Sequence, residues 1–503
     1  MAASPQSHGN GRLVELDALR GIAASLVMLF HYTTQYDRLY GHETAPLLTL
    51  PWGHYGVNLF FMISGFVIFL TLHRIQRPLD FLVSRFSRLF PAFWAAVAIT
   101  FLAMTLLPLP GKSVGPAAAV LNLFMIHGLV RIPHVDSVYW TLEVELIFYA
   151  WALLLYRLGR LDRVHAVLAT ALMLRLVYFA ADRYAGVRLS TMLGHLMILS
   201  YIPWFICGIM IYRRTAMTAV SPRADRLVLA AAIAVLAMVE GVGIGLLAAA
   251  LSLTLWLAAT ERLPWLANPV LAWLGAISYT LYLLHENIGW TVILRLERAG
   301  ADTNLAILAA VGLTLLLATT LTYLLERPAM VRLRRRYRQQ TKPAKPTAAL
   351  PVGLAVGLFA FAGLAYAWHA SHPKQPARDP AAAIYHPAAT EAVPCHGAAL
   401  QPSLRILVLG QSNAGNHGEA TAPATASGGD FYFEGHCFHS NGPVPGATGQ
   451  GGAIWPLLAR PLTEAIGQPV QFAVFAVDAT KIEDWIRSGP VHDRLIAALD
   501  DQR

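Results

Sequence analysis

The chain has 503 residues, is 56% hydrophobic and only 13% charged, and contains 38 glycines and 30 prolines. That balance excludes an ordinary soluble globule and fits a protein whose surface meets lipid. The formal charge of +9 lies in short basic clusters between apolar runs, where topology signals belong, so it speaks for the lipid bilayer as partner and against nucleic acid.

Residues 1–12 are polar and lack the apolar region and cleavage site of a signal peptide, so the first apolar helix is expected to be retained and the N-terminus to be cytoplasmic. Segments able, or nearly able, to cross about 30 Å of hydrocarbon follow at 13–33, 55–72, 91–109, 140–158, 164–181, 195–212, 227–241, 243–259, 271–294, 304–325 and 350–368. A further run, 116–130, is borderline for crossing. If it crosses, the loops with Arg157, Arg160 and Arg163, with Arg213, Arg214, Arg223 and Arg226, and the basic stretch from Arg327 to Lys345 all face outward. If it is re-entrant, they turn inward and join Arg74, Arg77, Arg85 and Arg88. The positive-inside rule selects the second arrangement. The expectation is a polytopic α-helical membrane protein: about ten spans over 13–338, then a basic linker and an eleventh span over 339–369 that delivers the C-terminus outside.

Residues 370–402 are rich in Pro, Ala and His and read as an extended extracytoplasmic linker. Over 403–503 the pattern becomes that of a partial α/β module, in which "RILVLG" reads as a buried strand before a Gly/Ser/Asn turn and "VQFAVFAV" as a second strand. The three cysteines are too few for a disulfide scaffold or a thiolate metal site. Cys207 in its apolar run reads as a small core residue, whereas Cys395 and Cys437 can pair if their part lies outside the cytoplasm.

Ionisable groups inside membrane spans are costly and mark function by default. Arg20 and His31 are eleven residues apart, close to three helical turns, so they share a face at a separation of roughly 16 Å. Arg20 then sits near the cytoplasmic headgroups and His31 near mid-membrane. In "WTLEVELIFY", Glu143 and Glu145 are two apart, so only one can point with the catalytic group. In "GVNLFFMISGF", Gly56, Asn58, Ser64 and Gly65 suit close helix packing. Arg85 and Arg88 share a face at the cytoplasmic border, where two guanidiniums suit bidentate phosphate contact. Tyr279, Tyr282, His285 and Glu286 in "SYTLYLLHE" read equally well as an aromatic belt. "PGKS" at Pro110 to Ser113 lacks the upstream glycine of a P-loop, and His285 with Glu286 has Gly289 where a zinc-protease helix needs its second histidine. No spacing argues for a metal. A buried histidine as base, with arginines holding a phosphorylated donor, is the logic of acyl transfer across a membrane. A proton-coupled transporter would use the same buried His31 and Glu145, and an esterase merely tethered by its spans would need neither.

Over about 13–338 the chain resembles the acyltransferase family 3 membrane proteins, which O-acetylate bacterial surface and secreted glycans. The resemblance rests on "LDALRGIAASLVMLFHY", "GVNLFFMISGFVI", "RFSRLFPAFW", "WTLEVELIFY", "SYTLYLLH" and "LLERPA" in the family's order. It implies His31 as catalytic base with Arg20 essential nearby, Glu145 as the acid of the W-[ST]-L-x-x-E pattern, and Arg85 and Arg88 as contacts to the donor. Trp140, Tyr149 and Glu326 also match family positions. The donor implied is acetyl-CoA or another acyl-CoA, bound as a substrate and not as a permanent cofactor. The acceptor is a glycan such as O-antigen, exopolysaccharide or peptidoglycan, and the location a bacterial inner membrane with the C-terminal module periplasmic or extracellular.

That module is similar to SGNH-type esterase domains. "LVLGQSNAGNHGE" matches the first block, with Ser412 as nucleophile, and "TGQGGAIW" offers Gly452 to an oxyanion hole. The family's closing D-x-x-H pair has no counterpart, since His492 and Asp493 stand in the wrong order and spacing. The module is therefore expected either to be truncated and inactive or to take its histidine from elsewhere.

Overall fold

The computed structural model describes residues 14–185, 189–217, 221–340, 384–388, 391–394, 404–410, 415, 429–433, 436–440, 443–449, 453–477, 480, 485 and 491–500. The chain divides into two compact units, Met1–Ser371 and His372–Arg503.

The described residues of the first unit form helices and the loops between them. Helix α1 (Val14–Phe30) runs through a π-helical turn (His31–Gln35) directly into α2 (Tyr36–Tyr40). There follow α3 (Gly56–Leu72), α4 (Pro78–Leu106), the short α5 (Pro116–Asn122), α6 (Trp140–Arg157), α7 (Val164–Ala185) and the short α8 (Thr191–Leu196). Then come α9 (Ile202–Ala216), α10 (Pro222–Glu240), α11 (Val242–Ala259), α12 (Pro269–Arg298) and α13 (Thr303–Leu321). A second π-helical turn (Thr322–Glu326) joins α13 to α14 (Arg327–Gln340).

Six helices among the described residues are long and apolar enough to cross a membrane: Gly53–Leu72, Pro78–Leu106, Ser137–Arg157, Val164–Ala185, Val242–Ala259 and Thr303–Gln339. The other four predicted spans coincide with α1, α9, α10 and α12. The α9 segment is short, with 15 residues, and α1, α10 and α12 are diluted by Glu15, Asp17 and Arg20, by Arg223, Asp225 and Arg226, or by His285, Glu286 and Asn287. The predicted re-entrant run 116–130 forms only the seven-residue α5 and a 3₁₀ turn, about 10 Å of helix. The span expected to begin at Pro91 begins instead at Pro78, with Pro91 inside α4. A proline at N1 and Asp80 bonded back to the Arg77 amide start the helix early, and so Arg85 and Arg88 ride on it. The predicted eleventh span lies outside the described residues.

Helix α12 is the axis of this unit. Every residue from Gly275 to Thr291 is buried, as expected of a helix enclosed on all sides, and it packs against α1, α4 and α13. Glycines set the closest approaches. On α3 and α9, a Cβ at Gly65 would meet the Phe205 carbonyl and one at Gly208 the Met62 carbonyl, which is the small-residue contact that the α3 sequence suggested.

The second unit is built on a four-stranded sheet of order β1-β4-β2-β3, with β1 (Leu404–Gly410), β2 (Gly429–Phe433), β3 (His436–Ser440) and β4 (Val470–Ala476). β1 and β2 run parallel to β4, and β3 pairs antiparallel with β2. Helices α15 (Trp455–Ile466) and α16 (His492–Asp500) complete the described elements. β4 is buried along its whole length, whereas β1, expected to be buried, is an edge strand in which only Val408 is enclosed and Leu407 and Leu409 are exposed. Among the described residues only β4 flanks it. Cys437 on β3 is disulfide-bonded and Cys207 is free and buried; Cys395, the expected partner of Cys437, lies outside the described residues.

Candidate active site

His31 is the first residue of the π turn in the α1–α2 helix. Such a turn bonds i to i+5, so the Tyr36 amide donates to His31 O, and side chains add further donors to its carbonyls: Trp290 Nε1 donates to His31 O at 2.9 Å, and His42 Nε2 to Tyr32 O at 2.9 Å. Gly289 makes room for the turn, because a Cβ there would run into the Tyr32 ring. Tyr32 in turn donates to the His285 carbonyl at 2.8 Å and meets Thr314 Oγ1 at 2.8 Å. The position where a zinc-protease helix needs histidine is the one that must have no side chain.

The hydrogen bonds assign the tautomers. His285 Nδ1 lies 2.8 Å from the Tyr282 carbonyl, which can only accept, so Nδ1 carries the proton and Nε2 a lone pair. His31 Nδ1 lies 2.9 Å from the Val27 carbonyl and 3.0 Å from His285 Nε2, so it donates to both. His31 Nε2 is therefore the lone-pair nitrogen. It faces a cavity of about 400 Å³ that Phe30, Phe61, Trp140, Tyr201 and Trp290 line with aromatic surface, and Gln35, Asn58, Lys112, Ser137 and Glu286 with polar groups. Glu286 Oε2 stands 3.5 Å from His31 Nε2. Its other oxygen accepts from Lys112 Nζ at 3.2 Å and from Ser137 Oγ.

A second cavity, of about 90 Å³, is lined by Arg20, Arg85, Arg88, Ser64, Glu145, Tyr149 and Tyr279. Glu145 accepts from Ser64 Oγ at 2.7 Å and from Tyr149, while Arg88 is paired with Glu326, buried in the second π turn. Arg85 reaches Thr71 Oγ1 at 3.3 Å and leaves a buried Nε without a protein partner. Three guanidiniums, one of them with a buried N–H that no protein group answers, suit an anion with several oxygens. The two cavities share wall residues Val57, Phe61 and Tyr282.

The structure thus brings Arg20, Arg85, Arg88 and Glu145 together and places His31 apart from them, along the same helix. Glu145 belongs to the arginine end. Glu143 turns away, accepting the Leu129 amide at 3.2 Å. His285 and Glu286, for which an aromatic belt was an equal alternative, flank His31. Lys112, dismissed with the P-loop, reaches the same place. A buried carboxylate in an apolar span was the available signal for Glu286; nothing local marked Lys112 or Ser137.

In the second unit, Ser412, Gly452 and Cys395 lie outside the described residues. His439 Nδ1 sits 2.9 Å from Asp430 Oδ1 across β2 and β3. Asp430 is level with Gln471 and hence with Arg405, five residues before the end of β1. That is about 16 Å of strand, so the pair stands far along the sheet from the C-terminal end of β1. His492 and Asp493 contact each other at 3.0 Å in the first turn of α16.

Residues 13–323 match the acyltransferase 3 family, described as an acyltransferase domain. The chain is 31% identical over 166 residues to Nodulation protein 10 of Rhizobium leguminosarum bv. viciae, an alignment covering 28% of this chain and 44% of that protein. It thus spans less than half the length of that curated relative. No solved structure matches. With 13–323 being more than half of 503 residues, the chain belongs to the acyltransferase 3 family.

Proposed function

We propose that this protein is an integral-membrane O-acyltransferase that moves an acyl group, acetyl in the first instance, from acyl-CoA to a hydroxyl of a cell-surface or secreted glycan. The observation that carries the reading is the pair of cavities with a common wall, one ending in Arg20, Arg85 and Arg88 and the other in the lone pair of His31 Nε2. Guanidiniums at one end suit the phosphates of the donor; the aromatic and polar lining at the other suits a sugar. His31 Nε2 takes the acceptor hydroxyl proton as that oxygen attacks the thioester carbonyl. The C–O bond forms, the C–S bond breaks, and the departing thiolate recovers the proton from His31. Family membership supports the acyltransferase class; the donor, the acceptor, the bacterial inner membrane and an outward C-terminal module belong to the proposal.

The test is transfer of radiolabel from acetyl-CoA by the purified full-length protein in lipid nanodiscs to glycan extracted from the same cells. Label in the glycan that disappears with His31→Ala is expected. Undiminished transfer by a folded His31→Ala protein would overturn the mechanism.

A further inference from the structure

We infer that Glu286 is the positioning residue of His31, held ready by Lys112 and Ser137 to receive the imidazolium that forms during transfer; the inference rests on the acyl-transfer reading of His31. Glu286 is 2% exposed, and a buried carboxylate persists only where its charge and lone pairs are answered. Oε1 is answered twice, by Lys112 at 3.2 Å and by Ser137. Oε2 has His31 Nε2 at 3.5 Å.

That distance is informative. It exceeds the span of a charge-assisted N–H···O bond, about 2.7–2.9 Å, as it should while Nε2 carries a lone pair and no proton. Once the acceptor proton reaches Nε2, the same edge becomes a donor, and a shift of roughly 0.7 Å closes an ionic hydrogen bond. Ser137 and Lys112 come from the turn before α6 and the loop after α4, so elements remote in sequence converge on one carboxylate. The Lys112 ammonium also lies 4.7 Å from the centroid of the Trp290 ring, whose edge donates to the His31 carbonyl. The groups facing His31 are Glu286 and His285 from α12, Lys112 from the loop after α4, and His54 from the turn before α3. Glu286 alone among them brings negative charge; the buried Asp136 interacts with Glu286 and is held by the Asn287 and Val138 amides.

Two readouts on the full-length protein in nanodiscs test this. One is label transfer from radiolabelled acetyl-CoA; the other is the rate of diethyl pyrocarbonate modification of His31 against pH, followed by mass spectrometry, which needs no acceptor. Glu286→Gln keeps an acceptor for Ser137 and should lower kcat by about 100-fold while leaving KM for acetyl-CoA within about twofold. Glu286→Asp should recover part of that loss. In Glu286→Gln the pH midpoint of His31 modification should move down, and in Lys112→Met it should move up, because one variant removes a negative and the other a positive neighbour. An unmoved midpoint with kcat within about threefold of wild type, or shifts of the same sign in both variants, would overturn the inference. If Glu286→Gln fails to assemble, the direction of the Lys112→Met shift decides. Activity in His31→Ala sinks the proposed function as well, whereas an inactive His31→Ala beside an undisturbed Glu286→Gln sinks this inference alone.

Discussion

The two cavities of the helical unit solve different electrostatic problems. Around His31 the proton positions are defined: two imidazoles are chained through one proton, and Glu286 faces one ammonium beside the buried Asp136, which the Asn287 and Val138 amides answer. Around Arg20, Arg85 and Arg88 the pairing is incomplete, with a buried Arg85 Nε left over. A tautomer-defined site is suited to moving a proton; a site with an unpartnered guanidinium N–H is suited to holding an anion. Under the proposed function, that difference places turnover at one end and donor affinity at the other.

The largest effect should therefore be on turnover. His31→Ala is expected to lower kcat by about 1,000-fold, within the range for losing a general base, with KM for acetyl-CoA nearly unchanged, as initial rates of label transfer would show. Arg85→Gln should do the reverse, raising KM for acetyl-CoA about tenfold, the worth of one charge-assisted hydrogen bond, with kcat at saturation almost intact. If Arg85→Gln reduced kcat at constant KM, the division between the cavities would collapse.

Gly289→Ala asks whether the π turn is held by the space left for Tyr32. Overpacking there should cost about 1–3 kcal/mol, read as a lower thermal midpoint in nanodiscs together with reduced transfer; an unchanged midpoint would show that the turn has slack.

The smallest effect concerns the loop after α5, on neither cavity's wall. His127, bonded to His134 at 2.7 Å, is held down from its ordinary 6.5 to about 3, by burial first and by His134 second. The unfolded chain takes up that proton near pH 6.5 and the folded chain only near pH 3, so the unfolded state binds more protons in between and stability falls as pH drops through that window. Thermal midpoints from pH 7 to pH 4 should decline, and His127→Gln should flatten the decline without altering KM for acetyl-CoA at pH 7.

Much of the helical unit was legible because lipid imposes long apolar runs and basic flanks that need no partner to be recognised. Arg20, His31, Arg85 and Arg88 were legible for the same reason, since a charge in an apolar run stands out. The early start of α4 was hidden because its first turns are too polar to read as a span. The exposure of β1 was hidden because an apolar strand looks alike whether or not another element covers its face.

By itself the sequence determined the membrane character, the family and the placing of Arg20 and His31 on one helix, because hydropathy and helical spacing are local properties of the chain. Only the tertiary structure decided that Glu145 belongs with the arginines, that Glu286 and His285 belong with His31, and that Lys112 reaches them from a distant loop. Those assignments depend on which helix faces α12, and on a glycine at position 289 that lets a tyrosine in. Contacts between elements remote in the chain leave no spacing to read.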